Sequence, residues 1–304
     1  MGKVLVIGYG SIGKRHTGNL LKLGYQPVVL TQYPDDNPEI QFISDFSALN
    51  EFKDIKSCIL CTPTSSHLED FRSLISNSGC KNVLLEKPVE ANFNKAEEID
   101  SIAANSGINA YVGYVMRFYE VFDQVSDFIK NNLYLVRLVK ITAGSYLPNW
   151  RPYKDYSLSY SAHKSQGGGV DLDTSHEIDY MLWLFGEPPE TLFKMNGRIS
   201  SLNIDSTDYF KALYKYEGFL VDLELDYFRK PERSLRLIGE NSELLFADFV
   251  NKKLFIESRE IADAGLFNLE EIYINELKEF LGLKPIQKLA TMSEATKIYK
   301  YIKR

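Results

Sequence analysis

Five short runs of apolar, β-prone residues recur along the start of the chain, at 4–7, 27–30, 57–60, 82–85 and 110–112. Between them lie stretches with apolar residues at helical spacing, at 12–23, 66–77 and 94–105. Strands that are apolar throughout and separated by helices predict a parallel sheet covered on both faces. The right-handed crossover then makes it doubly wound. After Arg117 the rhythm changes. A helical stretch to about residue 131 precedes a long strand over 133–143, a polar and aromatic segment, and one helix over about 171–185. Beyond it Val221, Leu223, Leu225 and Tyr227 alternate with Asp222, Glu224 and Asp226, which predicts a strand with one buried and one solvated face, as in an antiparallel sheet. The runs 209–216 and 234–246 extend that sheet, and 270–281 and 293–302 return to helix. The pattern thus divides the chain into an α/β Rossmann domain over 1–117 and an α+β domain over 118–304.

Length agrees, since 304 residues exceed the usual size of one compact core. A net charge of −6 argues against a general nucleic-acid surface, which gains affinity from excess Lys and Arg. No run approaches the roughly 20 apolar residues that cross a bilayer, and Met1-Gly2-Lys3 leads directly into a strand pattern. The expectation is a cytoplasmic protein with neither a nucleic-acid nor a membrane partner. Cys58 and Cys61 fall in an apolar strand that sends their side chains to opposite faces, so they and Cys80 read as buried structural thiols.

Gly8-Tyr9-Gly10-Ser11-Ile12-Gly13 matches G-x-G-x-x-G between a strand and a helix. Gly8 permits the tight turn, Gly10 lets a pyrophosphate approach the backbone, and Gly13 allows close helix packing, while the amides around Ser11 and Ile12 face the phosphates. An NAD-selective Rossmann fold usually ends its second strand with an acid that bonds the adenine ribose. Here Thr31-Gln32-Tyr33 follow the strand and no acid appears until Asp35. Thr31 and Gln32 can bond either a hydroxyl or a 2′-phosphate, so the cofactor is NAD(P) with the choice open.

Further motifs follow in order: Cys61-Thr62-Pro63-Thr64-Ser65-Ser66-His67, then Glu86-Lys87-Pro88, then Gly167-Gly168-Gly169 leading to His176-Glu177-Ile178-Asp179. With Val112-Gly113-Tyr114 and Arg117-Phe118 they make the chain resemble the Gfo/Idh/MocA oxidoreductase family over nearly its whole length. The resemblance implies a C-terminal domain with a large mainly antiparallel sheet, NAD(P) as cofactor, sugar or polyol substrates, and homodimers or homotetramers formed through the open face of that sheet. It places Glu86 and Lys87 beside the nicotinamide ribose and the reacting carbon. Thr62 and Pro63 line the cofactor, with His67 in the same turn, and Arg117 is placed among the substrate contacts. The segment from Trp150-Arg151-Pro152 through Tyr160, Ser161 and the triple glycine is similar to that of members found with bacterial surface-sugar biosynthesis.

Hydride transfer from an alcohol carbon needs a proton acceptor and positive charge near the developing alkoxide. Lys87 meets the second need. His176, whose imidazole titrates near neutrality, meets the first. On one continuous helix Asp173, His176 and Tyr180 share a face, opposite Ile178, Met181, Leu182 and Phe185, which makes Tyr180 a candidate substrate contact. Asp173 is then close enough to orient the ring, although many relatives place the acid four residues before the histidine, where this chain has Leu172. Asp179 reads as mainly structural. His16, His67, His163 and His176 include no ligand pair at zinc spacing, so no metal is expected. Trp150, Arg151 and Tyr160, with Lys154 and Tyr156, suit a sugar ring or base carrying an anion. The leading expectation is therefore a dehydrogenase or ketoreductase acting on a sugar, nucleotide-activated or anionic. Two alternatives stand beside it: an enzyme that uses bound NAD transiently for elimination or glycoside cleavage, and a non-catalytic NAD(P)-binding sensor.

Overall fold

The computed structural model describes residues 2–52, 54–263 and 265–302. The chain forms two compact units: 1–115 with 270–300, and 116–269 with 301–304. This differs from a division at 117, because the segment 270–300 clusters with the first unit.

The first unit runs β1 (Lys3–Ile7), α1 (Ser11–Lys22), β2 (Gln26–Leu30), β3 (Gln41–Ile43), β4 (Ser57–Leu60), α2 (His67–Asn77), β5 (Asn82–Leu85), α3 (Phe93–Ser106) and β6 (Asn109–Val112). Its strands lie side by side in the order β3-β2-β1-β4-β5-β6, all parallel. The order reverses at β1 and β4, the switch point where α/β sheets bind ligands. Val4–Ile7 is buried throughout, and α1 packs against β1, β2 and β4. Local sequence sets the helix ends. Asn92 accepts the Asn94 amide at 2.9 Å to start α3, and Gly107, at φ +63°, ends it in the left-handed conformation.

The second unit holds α4 (Val121–Asn132), β7 (Leu138–Gly144), α5 (Val170–Asp173), α6 (His176–Phe185), β8 (Glu190–Gly197), β9 (Tyr209–Lys215), β10 (Leu220–Asp226), β11 (Glu232–Ile238), β12 (Glu243–Asp248), β13 (Lys253–Ile256) and β14 (Arg259–Glu260). They form one sheet of order β14-β13-β12-β11-β7-β10-β9-β8, antiparallel except for the β7–β10 pair. The period-two alternation has its expected effect. Val221, Leu223 and Leu225 are buried, and Lys211, Asp222 and Glu224 pair on the other face, whereas Asp226, expected to be solvated, is buried at the strand end in an ion pair with Arg229. α5 packs on β9 and β10, and α6 on β7. The helix expected over 171–185 is two helices. Thr174 and Ser175 interrupt it, and the Thr174 hydroxyl bonds the Val170 carbonyl, the local competition that makes Ser and Thr poor interior helix residues.

The chain ends with α7 (Leu269–Phe280), β15 (Ala290–Thr291) and α8 (Met292–Ile302). β15 pairs antiparallel with β6 and extends the first sheet. Among the described residues no helix is long and apolar enough to cross a membrane.

Candidate active site

The glycine-rich turn is built for a close ligand. Gly8 sits at φ +93°, and a Cβ there would lie 2.8 Å from the Cys61 carbonyl. At Gly13 a Cβ would come within 2.1 Å of the Gly8 carbonyl oxygen. Both glycines are therefore required for packing inside the protein. Gly10 is not: a Cβ there meets nothing within 4 Å. It precedes α1, whose first turn has no side-chain cap and no acidic residue. Uncapped amides at the positive helix end beneath open space fit a pyrophosphate, and no carboxylate stands there to repel it.

At the adenosine end the expected side chains are committed locally. Thr31 Oγ1 accepts the Tyr33 amide at 3.1 Å, and Gln32 Nε2 donates to the Ser44 carbonyl. These two bonds shape the loop and use neither the Thr31 hydroxyl proton nor the Gln32 carbonyl oxygen. The loop folds Asp35 back to the phosphate turn, where it accepts from the Tyr9 hydroxyl at 2.9 Å and lies 3.4 Å from the Lys14 ammonium. Burial would raise the Asp35 carboxyl, but Tyr9, the Asn37 amide and Lys14 outweigh it and hold it low. Burial and Asp35 together push the Tyr9 phenol up to about 12.

Thr62 is half-buried and Pro63 exposed in the turn after β4. His67 is different. It is 1% exposed, with Nδ1 3.0 Å from the Val89 carbonyl and Nε2 2.9 Å from the Thr62 carbonyl. The ring ties the two loops together and is too deep to touch a cofactor, a correction to its expected place. Between those loops, half-buried Glu86 and Lys87 leave the end of β5, and the Lys87–Pro88 peptide is cis.

In the second unit the triple glycine serves close packing. A Cβ on Gly168 would lie 2.2 Å from the Tyr160 carbonyl oxygen. Asp173 is buried at the end of α5 and accepts the Tyr227 hydroxyl at 2.6 Å. Its charge and burial push the Tyr160 phenol above its ordinary range. His176, half-buried, is the first residue of α6.

Two expected substrate contacts are structural instead. Arg117 is 3% exposed, and its guanidinium binds Asp179 through Nε at 2.9 Å and Nη2 at 2.7 Å, beneath the Trp183 ring. Tyr180 is fully buried, its ring 5.0 Å from Phe122. The break at Thr174–Ser175 separates α6 from α5, so Tyr180 need not share the Asp173 face.

The remaining expected residues do line space. Trp150, Arg151 and Tyr160 border a cavity of about 440 Å³ with Lys154 and Tyr156. Trp150 also borders a second cavity of about 350 Å³, with Asp173, Thr174, Gly144 and Arg233. Sequence reading missed Arg233, whose Nε lies 2.8 Å from the buried Glu177 carboxylate. Its only prior signal was the acid beside His176.

Residues 2–114 match the model of the oxidoreductase family with an NAD-binding Rossmann fold, and residues 136–244 match the Gfo/Idh/MocA C-terminal domain. The chain belongs to the Gfo/Idh/MocA family. Its similarity to 2,7-anhydro-N-acetylneuraminate hydratase of Escherichia coli (strain K12) is 24% identity over 206 residues, 64% of this chain and 54% of that protein. The chain thus spans about half the length of the curated relatives it matches. Among solved structures of the same fold, the WlbA dehydrogenase from Bordetella pertussis, in complex with NADH and UDP-GlcNAcA, is 16% identical with a TM-score of 0.78, covering 98% of this chain and 92% of that one. UDP-N-acetylglucosamine 3-dehydrogenase GnnA from Acidithiobacillus ferrooxidans is 17% identical with a TM-score of 0.72, covering 98% and 94%. The Gfo/Idh/MocA fold accounts for the mixed sheet of the second unit as well as for the phosphate turn of the first.

Proposed function

We propose that the protein is an NAD(P)-dependent oxidoreductase that oxidises or reduces a carbinol carbon of an anionic, nucleotide-activated sugar. The observation that carries this reading is the pair of cavities sharing Trp150, one walled by Asp173 and Arg233 and the other by Arg151, Lys154 and Tyr160. An indole shared by two chambers that also hold charged side chains suits a sugar in one and a charged, ring-bearing appendage in the other. The UDP-sugar held by WlbA supports the same substrate class.

When bound, the nicotinamide supplies a hydride acceptor or donor at the sugar carbon. The chain's own residues supply the rest. The uncapped turn before α1 holds the pyrophosphate, and Asp35 meets the adenine ribose. His176 takes the hydroxyl proton as the carbinol becomes a carbonyl, and returns it in the reverse direction. The Lys87 ammonium stabilises the negative charge that develops on that oxygen. Asp173, held by Tyr227, keeps the first chamber polar and fixed. Copies of the chain are proposed to associate through the open face of the second sheet, which light scattering on the purified protein checks.

One observation favours a second reading. The E. coli relative is named a hydratase, an activity without net redox change. Transient oxidation followed by re-reduction would give such a product with no net change in cofactor. The test is incubation of the purified protein with NAD or NADP and a panel of UDP-sugars and unactivated sugars, followed by mass spectrometry and the absorbance of reduced nicotinamide. The primary reading expects a UDP-sugar product lacking two hydrogens and stoichiometric reduced cofactor. Product without net reduction selects the second reading. Binding of cofactor with no product from any sugar would refute both.

A further inference from the structure

Behind the phosphate turn the first unit buries titratable side chains that the proposed reaction does not use. His16, on the inner side of α1, is 0% exposed, and its Nε2 is 2.7 Å from Glu86 Oε1. Its ring meets that of Tyr273 from α7 edge-on at 5.7 Å, and the Arg15 guanidinium covers Tyr273 at 4.7 Å. Glu276, three residues along α7, is also 0% exposed, and neither carboxylate oxygen has a partner among the described residues. Glu279 is engaged elsewhere, accepting the amides of Gln287 and Lys288 at 2.9 Å. Cys61 completes the group; burial, Glu86 and Glu276 all push its thiol up.

A core position of an amphipathic helix ordinarily takes an apolar side chain. Here α1 instead buries an imidazole whose Nδ1 has no partner among the described residues. Leaving a buried polar atom unpaired costs about 1–3 kcal/mol, and such costs call for a reason beyond packing. The placement of the pair supplies one. His16 lies three residues beyond Gly13, on the helix that presents the phosphate-binding amides. Glu86 directly precedes Lys87. On its other side Glu86 is closed in by Gly113, where a Cβ would come within 3.2 Å of the carboxylate.

We propose that His16 is a positioning residue: through its bond to Glu86 it braces the loop carrying Lys87 against the helix that holds the cofactor phosphates. The proposal rests on the oxidoreductase reading above. Glu86 is thereby clamped between an imidazole and a glycine backbone, which fixes how the chain leaves β5 and where Lys87 begins. Burial, then the charges of Glu86 and Glu279, push Glu276 well above the usual carboxylate range. It therefore keeps its proton and adds no competing charge behind the brace.

The test compares wild type with His16→Leu, His16→Gln and His16→Asn. Leu fills the space without a donor. Gln places an amide donor near the Nε2 position, and Asn carries the same amide on a stem too short to reach Glu86. Reduced-cofactor affinity of the substrate-free protein is read by fluorescence titration, beside thermal melts and steady-state kinetics. The brace predicts that Leu and Asn raise the cofactor Kd about 10-fold, the loss expected for a hydrogen bond to a charged group. It also predicts that they lower kcat more than they raise the sugar KM, and that Gln restores most of both. Should the Leu variant not fold, the Gln and Asn pair decides, since the two differ chiefly in reach. Equal behaviour of Gln and Asn, or lower thermal stability with Kd and kcat intact, would overturn the proposal. Wild-type protein that binds neither NADH nor NADPH would instead overturn the functional reading on which it rests.

Discussion

Gly10 and Gly13 belong to one turn, yet the structure separates a glycine needed by a ligand from a glycine needed by the fold. At Gly10 the backbone is extended, at φ −73° and ψ −168°, and a methyl group would project into open space. Alanine is a poorer helix N-cap than glycine but restricts the unfolded chain, effects of about 0.4–1 kcal/mol that oppose each other. Gly10→Ala should therefore leave the melting temperature of the cofactor-free protein nearly unchanged. If the pyrophosphate lies against this backbone, the methyl displaces it from the amides of α1. Losing one or two charge-assisted hydrogen bonds costs about 1.5–3 kcal/mol, which weakens cofactor binding about 10- to 150-fold. Gly13→Ala behaves oppositely. Its Cβ would lie 2.1 Å from a backbone carbonyl oxygen that no rotamer change can move. Overpacking of this kind costs about 1–3 kcal/mol, here toward the upper end. A body of this size loses about 2–4 °C per kcal/mol, so the melting temperature should fall by about 4–12 °C. Differential scanning fluorimetry and cofactor titration on both variants separate the two roles. A Gly10→Ala protein that binds cofactor as wild type does would refute the assignment of the open space above Gly10 to the pyrophosphate.

Four further predictions concern single groups. Arg117→Ala should cost about 3–5 kcal/mol of stability in urea denaturation, because it removes both guanidinium bonds to the buried Asp179 carboxylate; normal stability with a raised sugar KM would return Arg117 to the substrate site. Tyr227→Phe should cost about 1–3 kcal/mol by removing the buried donor to Asp173, and an unchanged unfolding midpoint would mean that the bond contributes nothing. Asp35→Asn should lower the ratio of NADH to NADPH affinity about 10-fold if the acid meets the adenine ribose, and a constant ratio in fluorescence titration would remove that role. Glu276 keeps its proton in the folded protein while the unfolded chain releases it above the ordinary value of 4.5. Above that pH the unfolded state binds fewer protons, so this group's stabilisation, complete in acid, declines as pH rises toward the folded value. Glu276→Gln should flatten the fall of melting temperature between mildly acidic and alkaline buffers, and a slope equal to that of wild type would contradict it.

The parts of the site that could be read from sequence are those whose cause lies within a few residues. A strand, three glycines at fixed spacing and a following helix contain the whole physical reason for the phosphate turn, and the structure adds only that Gly13 serves packing while Gly10 faces open space. Period-two alternation likewise specified the buried face of β10. Where the reading failed, the deciding contact comes from far along the chain. Arg117 is committed to Asp179, 62 positions away. His16 meets Glu86 across 70 positions, a contact that helical spacing over 12–23 does not specify. The return of 270–300 to the first unit is a fact of the same kind, since helical periodicity states that a face is buried but not against which sheet. Tyr180 failed for a local reason: a helical wheel drawn through 171–185 assumes continuity, and Thr174–Ser175 breaks it. A phenol is ambiguous on such a wheel because its ring suits a core while its hydroxyl suits a site. Here the ring packs with Phe122 and Phe249, so the core wins at this position.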